Sequence, residues 1–295
     1  MQITNPESAP IYDAGNLREG SDRGTKVLFA GDEGRLDNYR WFYSAPGVGD
    51  WKAPRHRHNF EQIRFALEGR FEYRPDDFLD GGNVIYFPEG VHYGPQVRHD
   101  GLSMLTLQYG GATGNGYLSQ AERKKGFDDL CAKGKFEKGY YTWLDAEGRR
   151  HNQDSFEAIW EHMMGRNIVY PEPRYSDLIK MNADNYGWTD VSDSPGVAMK
   201  WLASLTERAV RVGFIKLDAG ATTNVGGLSD GTELLFLING DICHDGQDHP
   251  EKTAFRCNPG EGLKAITATQ ASTLFRIQLP RMMSAGESAG TRNAA

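Results

Sequence analysis

Short runs of apolar residues, each ended by glycine, proline, aspartate or asparagine, recur along most of this 295-residue chain. Such runs are shorter than most helices, and the 35 glycines can supply tight turns between them. The pattern predicts an all-β protein whose antiparallel strands close into a barrel or sandwich. In the first third of the chain, the predicted strands are KVLFAG, YRWFYSA, EQIRFALEG, RFEYR, NVIYFPEG and SMLTLQYG.

A second block of strands repeats the pattern of the first. The run EQIRFALEGRFEY resembles TELLFLINGDICH, and KVLFAGDEGRLDNYRWFYSAPG resembles KWLASLTERAVRVGFIKLDAG in its order of strand, charged turn and strand. We therefore predict two β-domains, at residues 1–112 and 171–283. We expect the small, polar tail at residues 284–295 to be disordered.

The segment between the two blocks, residues 113–170, has a different pattern. Two stretches, LSQAERKKGFDDLCAKG and DSFEAIWEHMMGR, space their apolar residues as helices do, and Asp154 or Ser155 is the expected N-cap of the second. Between them, KGYYTWLDAEGRRH is typical of a hairpin that turns at DAEG. We interpret this segment as a helical and hairpin linker.

Composition excludes several classes of protein. The 33 basic and 40 acidic residues give a net charge of −7, which argues against a general nucleic-acid or membrane-surface binder. Cys131, Cys243 and Cys257 lie far apart, so neither a disulfide framework nor a zinc ribbon is expected. The first residues lack the basic and apolar segments of a signal peptide, and no stretch is apolar enough to span a membrane. We expect a soluble, cytoplasmic protein.

The stretch PRHRHNFEQ, residues 54–62, contains two histidines and a glutamine of equal parity. Alternate residues of a strand share a face, so His56, His58 and Gln62 would point to one side and Glu61 to the other. Neutral imidazole is a good ligand for iron, nickel, manganese or zinc. Taken alone, these residues favour two solvated histidines at the edge of a polar strand, flanked by Arg55 and Arg57.

The surrounding spacing adds a resemblance. The pattern H-x-H-x3-Q-x6-G ends at Gly69 and is followed by G-x5-P-x-G from Gly82 through Pro88 to Gly90. This pair of patterns resembles the two sequence motifs of the cupin superfamily. The resemblance implies two jelly-roll barrels, a bicupin. It also implies one divalent transition metal, iron first, with manganese, nickel or zinc as alternatives.

In cupins the first motif supplies two histidines and usually a glutamate to the metal. The resemblance carries these roles over to His56 and His58, with Gln62 at the position of the glutamate, as in cupins that act on uronate sugars. The second motif departs from the family pattern, because its histidine would fall at position 93, where this chain has Tyr93. A slip of one residue turns a side chain to the opposite face. Either His92 is the fourth ligand, or Tyr93 faces the metal and water fills the position, and Gln96 is a further inward residue that could contribute.

The second block keeps the spacing E-x6-G from Glu233 to Gly240, but TTNVGGLSDG and NPGEGLKA contain no histidine. We therefore expect a second barrel without a metal. In the first block, parity places Arg64 inside the barrel, where an unpaired charge is costly. Either Arg64 binds a substrate carboxylate, with Gln96 as a second contact, or it pairs with Glu68 or Glu61, or it faces outward.

A metal held by two histidines and a glutamine receives no negative charge from the protein, so it favours anionic, bidentate partners. We predict a metal-dependent enzyme on a small anionic or oxygen-rich molecule, with dioxygenase-type oxidation as the first interpretation. The alternatives are a metal-assisted isomerase or lyase on a sugar acid, with Tyr93 or Glu61 moving a proton, and a non-catalytic binding protein. We expect a small-molecule substrate, no nucleic-acid or membrane partner, and a homodimer formed through edge strands.

Overall fold

The computed structural model describes residues 1–13, 17–18, 24–32, 38–47, 51–111 and 113–280. Its strands, numbered in chain order, confirm the predicted all-β class. The first ten are β1 (Gln2–Thr4), β2 (Thr25–Ala30), β3 (Tyr39–Ser44), β4 (Trp51–Ala53), β5 (Phe60–Glu68), β6 (Arg70–Arg74), β7 (Asp77–Asp80), β8 (Val84–Phe87), β9 (Gln96–Arg98) and β10 (Ser103–Gly110).

The middle of the chain contains both described α-helices. In chain order it consists of α1 (Gln120–Cys131), β11 (Gly134–Glu137), β12 (Tyr140–Leu144), β13 (Arg150–Asp154), α2 (Ser155–Met164), β14 (Ile179–Met181), a 3-10 turn (Ala183–Asn185) and β15 (Thr189–Asp190). The predicted helices and the hairpin between them are thus confirmed. No helix in the described ranges has the length and apolar character required to cross a membrane.

The last third is again made of strands. These are β16 (Val197–Leu205), β17 (Val210–Leu217), β18 (Thr222–Val225), β19 (Thr232–Asn239), β20 (Ile242–His244), β21 (Gln247–His249), β22 (Ala254–Cys257), β23 (Lys264–Ala268) and β24 (Ser272–Leu279).

The chain forms two compact units. The first barrel, with α1, α2 and the hairpin, occupies residues 10–181. The second comprises residues 1–9 and the described residues from 182 to 280. This division differs from the predicted boundaries in two respects. The segment 113–170 packs with the first barrel, and β1 pairs with β22 in the second unit. The predicted tail at 284–295 lies outside the described residues.

The two units repeat one sheet order. In the first barrel the larger sheet runs β14-β8-β5-β10-β3-β2, and in the second it runs β1-β22-β19-β24-β17-β16-β15. The smaller sheets are β4-β9-β6-β7 and β18-β23-β20-β21. Every described pairing is antiparallel, and each unit has its own apolar core. The equivalence of strand order confirms the duplication predicted from the sequence.

In each barrel, the backbone requires glycine at one equivalent turn. Gly69 follows β5 with a φ of +74°, and a Cβ there would lie 2.7 Å from the carbonyl oxygen of Gly101. Gly240 follows β19 with a φ of +87°, and its Cβ would lie 2.6 Å from the carbonyl oxygen of Ala271. Both the left-handed conformation and the close approach require glycine. The repeated x6-G spacing therefore marks equivalent turns.

The helices are fixed by local signals in the sequence. Ser119 accepts a hydrogen bond from the backbone N–H of Glu122, and the Glu122 side chain accepts one from the N–H of Ser119, which makes a capping box at α1. At α2 the N-cap is Asp154 rather than Ser155. A Cβ at Gly126 would lie 2.9 Å from Ile159, so this glycine allows α1 to pack closely on α2.

Candidate functional site

The site begins where the chain enters β5. His56 pairs with Tyr93 by two backbone hydrogen bonds, from His56 N to Tyr93 O at 3.0 Å and from Tyr93 N to His56 O at 2.9 Å. Residues directly opposite each other in an antiparallel pair point to the same side. The Tyr93 side chain therefore shares the side of His56, and their ring centroids are 4.6 Å apart.

The same pairing turns His92 outward, which corrects its prediction as a metal ligand. Successive residues of an extended segment point to opposite faces. Tyr93 is accordingly 1% exposed, whereas the His92 side chain is exposed to solvent. Partial burial and the charges of Arg55 and Arg57 lower the pKa of His92. The family position that would hold a histidine is thus taken by a buried tyrosine.

The two histidines of the HxH stretch do come together in the interior. Their ring centroids are 4.9 Å apart, and the His58 ring stacks on Phe60 at 4.2 Å. Burial lowers the pKa of His56 to about 3 and that of His58 well below its usual value, so both are neutral at pH 7. His56 Nδ1 lies 2.6 Å from the Pro54 carbonyl oxygen, which can only accept. This contact assigns the proton to Nδ1 and leaves Nε2 as the acceptor.

On β5, Gln62 and Arg64 face the barrel interior. The Arg64 guanidinium lies over the rings of Phe87, at 4.5 Å, and Phe71, at 4.9 Å. Its Nη2 donates to Gln62 Oε1 at 2.9 Å, and its Nη1 donates a long bond to Gln96 Oε1 at 3.5 Å. Both of these acceptors are neutral amides. The two bonds satisfy donors but do not cancel the charge of Arg64.

A chain of hydrogen bonds leads from β3 to Gln62. Arg40 Nε donates to Tyr117 Oη at 3.0 Å, and Tyr117 Oη donates to Gln108 Oε1 at 2.6 Å. Gln108 Nε2 then donates to Gln62 Oε1 at 3.2 Å. Arginine carries only donors, so Arg40 at the start of the chain and Arg64 at Gln62 fix the direction of every bond. In the opposite amide orientation, the NH2 group of Gln62 would face two other donors, Arg64 Nη2 and Gln108 Nε2.

The chain ends at Tyr93. Gln62 Nε2 donates to Tyr93 Oη at 2.5 Å. Because the tyrosine oxygen accepts this bond, its own hydrogen remains for donation to another group. Burial raises the pKa of Tyr93, so the hydroxyl stays protonated at neutral pH. The arrangement presents a hydrogen-bond donor beside two neutral imidazoles.

Charge around the histidines is predominantly positive. Arg18, Arg123 and Arg64 all contribute to the lowered pKa of His58, after the larger effect of burial. The Asp154 carboxylate, which acts on His56, is itself paired with Arg18 at 2.8 Å. A small anion would therefore be stabilised in this part of the barrel.

The side chains fit a metal ion only in part. His56 and His58 are neutral and offer imidazole nitrogens, as a ligand pair requires. Gln62 does not fit, because its oxygen already accepts two hydrogen bonds and one donor is the Arg64 cation. Across the described ranges, no three or more His, Cys, Asp or Glu side chains are grouped so that they could hold a metal ion. Two of the four predicted ligands are suitably placed, and His92 is not among them.

Glu61, the other predicted catalytic residue, lies on the opposite face of β5 from Gln62. It is buried, and its charge acts on Glu89. The pKa of Glu89 is raised mainly by burial and also by the charge of Glu61, while hydrogen bonds from Thr113 oppose the shift. The alternation of side chains thus separates Glu61 from the histidines and corrects its predicted role.

Three residues of the hydrogen-bond chain, Arg40, Gln108 and Tyr117, were not predicted from the sequence. One of them gave a signal. Arg40 stands in the otherwise aromatic and apolar run YRWFYSA, at the same parity as Phe42, which is the kind of position that pointed to Arg64. Gln108 lies opposite both Gln62 and Arg40 across the sheet, a relationship that depends on strand register.

The second barrel has a counterpart of this network in which the buried arginine is paired with a carboxylate. Glu233 is opposite Gln278 on β24, as Gln62 is opposite Gln108 on β10. Glu233 Oε1 accepts from Arg276 Nε at 2.5 Å and from Gln278 Nε2 at 3.0 Å. Here a carboxylate neutralises the buried arginine, whereas the equivalent residue near Arg64 is an uncharged amide.

The comparisons with known proteins concern the fold of this chain. No family model and no curated protein sequence matches the chain. Among solved structures, an inferred dioxygenase from Nostoc punctiforme is 11% identical, with a TM-score of 0.60, over 96% of this chain and 83% of its own. The protein shares the cupin fold.

Oxalate decarboxylases also match the fold. A variant of the Bacillus subtilis enzyme is 11% identical, with a TM-score of 0.50, over 96% of this chain and 78% of its own. A second oxalate decarboxylase structure is 10% identical, with the same TM-score, over 95% and 77%. Both cover most of this chain, which confirms the predicted cupin architecture. At these identities the similarity concerns the fold alone.

Proposed function

We propose that the first barrel binds a small anionic, oxygen-rich molecule beside His56 and His58 and moves a proton on it. The reaction class is that of an isomerase or lyase acting next to a carbonyl or carboxylate. The observation that carries the proposal is the directed hydrogen bond from Gln62 to Tyr93, because it leaves the Tyr93 O–H as a donor next to two imidazole acceptors.

Binding of the anion rests on charge. The positive charge of Arg64 acts on both histidines, and its guanidinium also donates to Gln62 and Gln96. The amide nitrogen of Gln96 is buried and has no hydrogen-bond partner within the described ranges. A carboxylate oxygen near Gln96 would satisfy this donor and lie close to the guanidinium.

Proton transfer rests on the neighbouring groups. Tyr93 would donate to the oxygen that gains negative charge during the reaction, which stabilises an enolate-like intermediate. His56 Nε2 would accept the proton taken from carbon. Burial and nearby arginines lower the pKa of this imidazole, and a bound anion would offset the arginines and make the ring a stronger base.

The experiment uses isotope exchange, which needs no knowledge of the product. Glucuronate, galacturonate and a series of small hydroxy- and keto-acids are incubated with the protein in D2O, and loss of the C–H signal next to the carbonyl is followed by proton NMR. We expect exchange with at least one acid in the wild type and a decrease of about 100-fold or more in Tyr93→Phe. Binding measured by calorimetry should remain within about threefold, since the donor acts mainly in the transition state.

Tyr140→Phe is the matched control, because Tyr140 is an exposed tyrosine on β12. It should exchange at the wild-type rate. Binding without exchange by the wild type would instead support a non-catalytic binding protein. Absence of binding by every acid would contradict the proposal.

A second candidate is the metal-dependent oxidation of such a molecule. It is favoured by the contact of His56 Nδ1 with Pro54, which directs a neutral Nε2 away from the backbone. In that case His56 and His58 would hold the ion, which would supply Lewis acidity or oxygen activation. Oxygen consumption that depends on added Fe²⁺ and on His56 would support this candidate over the first.

A further inference from the structure

A second buried arginine lies on helix α1, in the same unit as the histidine pair. Arg123 is 8% exposed, and its Nε has no hydrogen-bond partner in the described part of the chain. Its guanidinium carbon lies 5.6 Å from the ring centroid of Phe156 and 5.7 Å from that of Tyr12. The described ranges contain no carboxylate in an ion pair with Arg123. Burial of such a charge is costly unless an anion accompanies it.

A like charge lies beside it. The guanidinium carbon of Arg40 is 5.6 Å from the same Tyr12 ring and 4.9 Å from the Tyr117 ring. Arg40 Nε donates to Tyr117 Oη at 3.0 Å, and its Nη2 donates to the Leu118 carbonyl oxygen at 2.9 Å. Burial and the charges of Arg40 and Arg18 favour the neutral form of Arg123, and its pKa is lowered. Two cations therefore lie around one aromatic ring in this region.

This region adjoins the histidine pair from a different direction than Arg64 does. The Phe156 ring contacts Arg123 on one side and is 4.7 Å, centroid to centroid, from the ring of His58. Arg64 instead contacts Gln62, whose Oε1 accepts a hydrogen bond from Arg64 Nη2. Arg123 thus neighbours His58 through the Phe156 ring, and Arg64 contacts Gln62 on the same strand as the barrel-facing residues.

We infer that Arg123 forms a second anion subsite, and that the ligand of the first barrel is a small dianion with acidic groups at both ends. One acidic group would lie near Arg64 and the other near Arg123, with the intervening carbons beside the histidines. The inference rests on the proposed function, because it specifies the substrate class of the same site. The chemical class is a dicarboxylate of a few carbons.

The test compares acids that differ only in their second charge. Oxalate, malonate, succinate and glutarate are titrated by calorimetry against acetate, propionate, butyrate and valerate, which match them in carbon number. We expect at least one dicarboxylate to bind the wild type about tenfold or more tightly than its partner acid. Arg123→Met keeps the apolar stem and removes the charge. It should bring the affinity for that dicarboxylate down to that of the monocarboxylate, with little change for the latter.

Lys125→Met is the matched control. Lys125 is an exposed residue of the same helix, paired with Asp129, and its replacement removes one positive charge without touching the buried face. It should bind both acids as the wild type does. Equal affinity of wild type and Arg123→Met for the preferred dicarboxylate would overturn the inference.

Thermal unfolding separates a ligand subsite from a structural role. Without added acid, we expect Arg123→Met to melt at or above the wild-type temperature, because a buried charge is replaced by an apolar side chain. The preferred dicarboxylate should raise the Tm of the wild type but not that of the variant. A large fall in Tm without ligand would assign Arg123 a structural role and overturn the inference.

The two proposals fail in different ways. If Arg64→Met removes binding of monocarboxylates while Arg123→Met changes nothing, the proposed function stands and the second subsite is wrong. If the wild type binds no acid of either series, the proposed function itself is contradicted.

Discussion

The amide nitrogen of Gln62 donates a hydrogen bond to the hydroxyl of Tyr93 across 2.5 Å. This bond joins the two motifs that resemble those of cupins, at the two positions where the chain departs from the usual residues. In this structure the two positions contact each other in the barrel interior. The chemistry of the site therefore depends on which groups this pair leaves available.

Removal of the Tyr93 hydroxyl should destabilise the protein. Tyr93→Phe keeps the ring but leaves the buried Gln62 N–H without its acceptor, which costs about 1–3 kcal/mol in the free energy of unfolding. Urea unfolding measures the change. A double-mutant cycle with Gln62→Met should show a coupling of about 1 kcal/mol between the two side chains. Additive effects of the two substitutions would contradict the hydrogen bond.

Metal analysis tests the ligand set. Because Gln62 Oε1 accepts from Arg64 and Gln108, we expect Gln62→Ala to leave the metal content unchanged after loading with Fe²⁺ or Zn²⁺ and dialysis. His56→Ala should remove whatever metal the wild type retains, since an imidazole is lost. Elemental analysis of the three proteins gives the answer. One ion per chain in the wild type, lost in both variants, would make Gln62 a ligand and favour the metal-dependent oxidase.

The inward positions of Gln62 and Arg64 could be predicted from the sequence because they depend only on alternation along one strand. The choice between His92 and Tyr93 could not, because it depends on the length of a turn. Two backbone hydrogen bonds between His56 and Tyr93 decide it. A single residue of register is invisible in composition and decisive in structure.

Even less in the sequence indicated that side chains outside the two motifs would lie near the site. Gln108 and Tyr117 join Arg40 to Gln62 only because β10 lies between β3 and β5. Arg123 lies near the Phe156 ring because α1 packs on α2, where Gly126 permits the close approach. Both relationships are tertiary. The sequence predicts each helix and strand but not which of their side chains meet.

The second barrel offers a test of the contrast between amide and carboxylate. Glu233→Gln should destabilise the second unit by about 3–5 kcal/mol, because it leaves the buried Arg276 without its counter-charge. The exposed Glu251 serves as the control, and Glu251→Gln should change the free energy of unfolding by less than about 0.5 kcal/mol. Urea unfolding followed by circular dichroism measures both. Equal stability of the two variants would show that the Glu233 pair contributes no net stability.

The free energy of unfolding should also decrease as the pH is lowered, over a pH range set by the two histidines. His56 has a pKa of about 3 in the folded protein, and the pKa of His58 is also well below the usual 6.5. As the pH falls through 6.5, the unfolded chain takes up protons that the folded chain excludes, so unfolding becomes more favourable. Each histidine lowers the free energy of unfolding by up to about 1.4 kcal/mol per pH unit once the pH is well below 6.5. The effect is absent above pH 7.

Urea titrations between pH 7 and pH 5 measure this slope above the range in which most carboxylates titrate. We expect His58→Gln to have a smaller slope than the wild type, because glutamine takes up no proton in either state. The double variant His56→Gln/His58→Gln should have a smaller slope again. Wild type and double variant with the same slope would contradict the buried, neutral state of the two imidazoles, since solvated histidines bind protons equally in the folded and unfolded chains.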